Sequence, residues 1–164
     1  SPPRTPCDRH LDNRRQDHVA PRPWDTEPDK AHWIDPATGL DCLIVRGPAG
    51  ALCGYVGLPP GHPFHGTHYR DLDDVEVHGG LTFSDACDPD GSEAEGICHT
   101  PQPGRPDDVW WLGFDCAHYS DCTPGSRLLH AILGGDVTLP IGVYRTYDYV
   151  HAEVARLAAQ LETQ

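Results

Sequence analysis

The sequence predicts an α+β domain: a small, mostly antiparallel sheet with long Gly/Pro-rich loops, packed by a C-terminal amphipathic helix. Three observations lead there. Two β-rich runs at 40–47 and 51–57 flank a short Gly/Pro turn, an apolar run covers 109–116, and the last twenty residues carry an apolar stripe at helical spacing. The chain has 164 residues, within the range of one domain, and its 17 Gly and 17 Pro imply many turns around a modest core.

Residues 1–30 are rich in Pro and Arg and poor in aliphatic residues, which predicts an N-terminal arm, poorly ordered or laid over the surface. Trp24 and Trp33 are the groups that would anchor it. The single domain is then expected over 31–164. DPATG (35–39) is a turn by composition. LDCLIVRG (40–47) and ALCGYVG (51–57), joined by Pro48-Ala49-Gly50, form a hairpin.

Three Pro and two Gly keep 58–74 a long loop. VEVHGGLTF (75–83) alternates as a strand, with Gly79-Gly80 marking a bulge or a close backbone approach. A turn-rich excursion of 25 residues follows at 84–108, a length that tends to accompany function or disorder. VWWLGFDC (109–116) is the most apolar strand and is expected near the centre of the sheet. SRLLHAILGG (126–135) suits a short helix with Ser126 as N-cap, and Pro140 makes 137–145 an edge strand or loop. Thr146 then caps a helix that aligns Tyr147, Val150, Val154, Leu157 and Leu161 on one face.

Charge narrows the functional classes. Lys plus Arg is 12 against 25 Asp plus Glu, a formal charge of −13, which repels nucleic-acid phosphates and argues against a nucleic-acid partner. Two readings of that field stand: an acidic surface that meets a basic protein partner and, the commoner case, simple solubility. No run of 18 apolar residues offers a membrane span, and SPPRTPCDRHLDNRRQ lacks the apolar segment of a signal peptide. The seven cysteines form no CxxC pair, so a cytoplasmic protein with mostly reduced thiols is the expectation. Cys87 and Cys98, which bracket one loop, are the first candidates for a disulfide.

The residues able to carry chemistry gather at strand ends. Asp115, Cys116 and His118 follow the apolar strand, with Asp121 in the next turn; all are ligand types for zinc, and Asp115, His118 and Asp121 could serve catalysis. His78 precedes the two glycines and would meet His118 if the two strands are neighbours. Cys98 and His99 are adjacent, so one of them could complete a site with His78, Cys116 or His118, and Cys87 is a further donor. The expected metal ligands are therefore His78, Cys98, His99, Cys116 and His118, with zinc as the cofactor. A closed, cysteine-rich site would be structural, whereas a His/Asp site with an open position would suit hydrolysis by metal-bound water. Ordinary readings stand beside these: Cys116 as a small buried hydrophobe, Asp115 as a turn cap, and the histidines as hydrogen-bonded parts of the core. His62, His65 and His68 read as a solvated polar loop, with metal binding the lesser reading. Cys–His catalysis would need Cys116 or Cys53 as nucleophile and His78 or His118 as base.

The strings CGYVGLPPGHP (53–63), HGGLTF (78–83), ICH (97–99), WWLGFDCAH (110–118) and YRTYDYVHAEVARLAAQL (144–161) together resemble a family of uncharacterised proteins from actinobacterial and other bacterial genomes and their phages. The resemblance spans about 40–161 and carries no activity or residue role. It implies a second expectation beside the metal-binding domain: a non-enzymatic acidic interaction protein, phage-derived, that inhibits a host system.

Overall fold

The computed structural model describes residues 22–88, 92, 94–99, 103–118, 120–126, 132 and 142–162. Five strands form one antiparallel sheet: β1 (Lys30–Ile34), β2 (Asp41–Arg46), β3 (Leu52–Leu58), β4 (Phe83–Ala86) and β5 (Trp110–Asp115), in the order β1-β2-β3-β5-β4. A short helix α1 (Pro23–Thr26) precedes the sheet and the long helix α2 (Tyr147–Leu161) packs on it. The α+β class expected from the sequence is the class observed. Among the described residues no helix is long and apolar enough to cross a membrane.

Alternation along the strands sorts two cores. Cys42, Ile44, Val56, Leu112 and Phe114 point to one face, where Val150, Val154, Leu157, Ala158 and Leu161 of α2 cover them. Leu43, Val45, Tyr55 and Trp111 point to the other, under Cys87 and Ile97 of the excursion. Both faces are thus covered, which explains why the first five residues of β2, Asp41 among them, are all buried. The helix sits close because β3 offers Gly54 beneath it: a Cβ there would lie 2.6 Å from both Val154 Cγ2 and the Phe114 ring.

The 40–57 hairpin forms as expected, closed by Gly47 N–H to Ala51 O at 2.8 Å. In the 35–39 turn, Asp35 Oδ2 accepts Thr38 N–H and Oγ1–H. β5 lies inside the sheet between β3 and β4. Thr146 caps α2 by accepting Tyr149 N–H, and the Glu27 carboxylate accepts Tyr147 N–H at 2.7 Å, favourable beside a helix N-terminus.

Other expectations need correction. Of 75–83, only Phe83 is in a strand; Gly79 and Gly80 both take positive φ (69° and 80°) and turn the chain away. The 84–108 excursion begins inside β4, which runs to Ala86. At 124–126 the chain is helical, and Thr123 rather than Ser126 supplies the cap, accepting Ser126 N–H at 3.0 Å. The remainder of the 126–135 segment, Ile132 apart, and 137–141 lie outside the described residues. Val143 forms an isolated parallel bridge with Asp121.

Residues 1–21 also lie outside the described residues, whereas 22–30 contact the body. Trp24 meets Tyr144 edge-on at 4.8 Å, Tyr144 Oη–H donates to Glu27, and Lys30 opens β1. Cys87 and Cys98 are joined in a disulfide and Cys122 is also disulfide-bonded, while Cys42, Cys53 and Cys116 are free. The expectation of reduced thiols therefore holds for three cysteines and fails for these others.

Full burial of the α2 stripe contributes on the order of 1.5–3 kcal/mol for each large side chain. Val154→Asp places a charge against Gly54 and Phe114 with no partner, so a loss of more than about 4 kcal/mol is expected. Thermal unfolding checks this, with the exposed Arg156→Ala staying within about 0.5 kcal/mol of wild type.

Candidate metal centre

Beyond β5 the chain folds back on itself. Asp115 Oδ1 accepts Ala117 N–H at 3.0 Å, His118 O accepts Asp121 N–H at 2.8 Å, and His118 N–H donates to Asp121 Oδ2 at 3.0 Å. The bridge to Val143 then sets Arg145 beside Asp121, with Nε donating to Oδ1 at 3.0 Å. His78 arrives from the loop before β4. Its Nε2 lies 2.9 and 3.0 Å from the two Asp121 oxygens, and its Nδ1 lies 2.9 Å from the hydroxyl of Tyr149 on the first turn of α2. His118 completes the group, Nδ1 3.3 Å from Asp121 Oδ2 and 3.6 Å from Asp115 Oδ1.

Gly79 is required for this assembly. A Cβ there would stand 2.2 Å from the His118 ring, so the backbone approaches as only glycine allows, at a φ that also suits glycine. The close approach expected at Gly79-Gly80 is therefore present, and the two histidine rings lie 5.6 Å apart. They meet through this turn, not through adjacent strands.

The Asp121 side chain has no solvent exposure. Burial pushes its carboxyl pKa up, but hydrogen bonds from His78, Arg145 and the His118 amide outweigh that and hold it below the ordinary 3.8. As an ionised carboxylate it accepts Nε2–H of His78, leaving Nδ1 to accept from Tyr149. A cation on Nε2 would reverse this, with Nδ1–H donating to the phenol oxygen. His78, His118 and Asp121 each offer a ligand atom within 4.8 Å of the others.

The chain matches no family model, no curated protein and no solved structure. Geometry alone must carry the functional reading. The motif resemblance supplies no residue role to add to it.

The sequence candidates divide among several places. His78, His118 and Asp121 come together, with Asp115 at the rim, where its Oδ2 also accepts from Thr82 Oγ1. Cys116 does not join them as a ligand; it is buried in the core under α2, and burial raises its thiol pKa far above neutrality. Cys53 is pushed to about 11, first by burial. Neither thiol suits a nucleophile at neutral pH. Cys98 is committed to its disulfide, and His99 lies under the excursion on the opposite sheet face, against Trp111, with His32 and Asp41. His99 therefore does not complete a site with His78 and His118; the candidate ligands fall in separate groups.

His62, His65 and His68 do not converge. His62 is buried and bonds the last helical carbonyl, Leu161 O, at 2.7 Å; His65 bonds Asp108 O; His68 accepts Arg70 N–H. Arg145 and Tyr149 were missed by the sequence reading. The signal for Arg145 was available: a buried aspartate needs a cation, and this acidic chain has few.

Asp121→Asn removes charge-assisted hydrogen bonds to partly exposed partners, so a loss on the order of 2–3 kcal/mol is expected at pH 7. Because the folded pKa lies below the unfolded one, this stabilisation is full above the unfolded value and lost as pH falls through the folded one. Melting curves of wild type and variant should therefore converge as the pH drops below about 4.

Proposed function

We propose that this chain is a zinc-binding domain whose metal is held by His78 Nε2, His118 Nδ1 and Asp121 Oδ2, with a fourth position left for water. One observation carries the reading. Asp121 Oδ2 lies 2.9 Å from His78 Nε2 and 3.3 Å from His118 Nδ1, close to the ~3.3 Å that separates two ligands of a tetrahedral zinc with bonds of about 2.0–2.1 Å. Supporting partners stand behind the ligands: Tyr149 on the far nitrogen of His78 and Arg145 on the second oxygen of Asp121.

Two imidazoles and one carboxylate around an open position make a hydrolytic zinc site, in which the metal lowers the pKa of its bound water. The protein's own contribution is to fix the ligands on a hub that the sheet, the Gly79 turn and α2 hold from three directions. Arg145, stacked on the Tyr149 ring at 5.0 Å, would draw an anionic substrate group to that position.

Untagged protein prepared without chelator should carry zinc that His78→Ala and His118→Ala each remove by one equivalent. The ligands must be deprotonated, so this zinc should leave as the pH is lowered. Hydrolysis of aryl phosphate or aryl ester probes should disappear in His118→Ala while the protein stays folded, its melting temperature lowered by the stabilisation that bound zinc contributes. Unchanged metal content in both variants, or below about a tenth of an equivalent in wild type, would remove the metal and leave a hydrogen-bonded hub.

A further inference from the structure

On the other face of the sheet, beneath the excursion, a second constellation has the same composition. Asp41 of β2 is 2% exposed, and the guanidinium of Arg105 grips both of its oxygens, Nη1 on Oδ1 at 2.9 Å. His32 of β1 places Nε2 3.3 Å from Asp41 Oδ1. His99 is 2% exposed, and neither of its ring nitrogens has a hydrogen-bond partner among the described residues. Its Nε2 stands 3.7 Å from Asp41 Oδ1 and its Nδ1 3.9 Å from Asp107, both beyond hydrogen-bond reach. One nitrogen of a neutral imidazole must carry a proton, so a buried N–H is left unsatisfied between two carboxylates. Buried polar groups are seldom left so, and a bound ion is one standard resolution.

We propose that His32, Asp41 and His99 form a second zinc site, independent of the Asp121 centre, that clamps the excursion onto the sheet. A zinc ion bridging His99 Nε2, His32 Nε2 and Asp41 Oδ1 satisfies the orphaned ring: Nε2 binds the metal, and Nδ1–H turns to Asp107, the carboxylate–histidine–metal arrangement. The three donor atoms lie within 4.8 Å of one another and come from β1, β2 and the excursion. Imidazole nitrogens select zinc over magnesium or calcium, which prefer oxygen. Asp41 Oδ1 retains a lone pair beyond the one that Arg105 uses. The ion would tie β1 and β2 to a segment also held by the packing of Cys87 and Ile97, the Lys30 ammonium on Cys98 O at 2.7 Å and the Arg105–Asp41 pair.

The test uses untagged, non-reduced protein carrying His118→Ala, which removes the Asp121 site. Zinc titrated into it by calorimetry should bind at about one equivalent and raise the melting temperature. Adding His32→Ala, at a side chain 26% exposed, should abolish both effects while the fold persists; His99→Ala should do the same if it folds. No zinc uptake by the His118→Ala protein, or uptake untouched by His32→Ala, overturns the proposal without bearing on the Asp121 centre. Uptake only after reduction by dithiothreitol, lost in Cys98→Ser, also overturns it, because the ligands would then be Cys87, Cys98, His99 and Asp107.

Discussion

A carboxylate taken fully out of water must be met by donors from several directions, and Asp121 imposes that demand on this fold. Its oxygens receive His78 from the loop before β4, the His118 amide from its own turn, and Arg145 from the approach to α2. Three segments distant in sequence are therefore fixed to one point. Without Asp121, the Gly79 turn has no reason to press against His118, and Arg145 has no buried partner. The same demand brings candidate ligands together, so the fold's constraint and its candidate chemistry coincide.

Around that hub the sheet serves as a rigid divider. α2 covers one face through Val150, Val154 and Leu157, and the excursion covers the other through Cys87 and Ile97. The disulfide between Cys87 and Cys98 holds the second cover, which has little regular structure among its described residues. Beside each cover stand a buried aspartate, two histidines and an arginine: Asp121, His78, His118 and Arg145 near α2, and Asp41, His32, His99 and Arg105 near the excursion. They differ in what is left over. The Asp121 histidines are hydrogen-bonded already, whereas His99 is not.

Much of the fold was legible because local rules agreed with global packing. Thr146 and the stripe from Tyr147 to Leu161 announced α2, and the runs around Pro48-Ala49-Gly50 announced the hairpin. The strand expected at 75–83 failed because alternation in VEVH is cancelled by two glycines at positive φ, which the same residues suit equally well. Of the candidate site, His118 and Asp121 were legible from the turn that follows an apolar strand. His78 was correctly joined to His118, though through a turn instead of strand pairing. Arg145, Tyr149 and the His32–Asp41 pair were not, since nothing in local pattern tells which charges a sheet will bury. Spacing could not choose between ligand and disulfide for Cys98, or between ligand and core thiol for Cys116; the structure pairs Cys98 with Cys87 and buries Cys116 under α2.

The most direct test is an anomalous difference map at the zinc edge from crystals of untagged protein grown with zinc. The account predicts a peak about 2.0–2.2 Å from His78 Nε2, His118 Nδ1 and Asp121 Oδ2, with Tyr149 still bonded to His78 Nδ1. A map without density at that point, and with His78 Nε2 still 2.9 Å from Asp121, would contradict it.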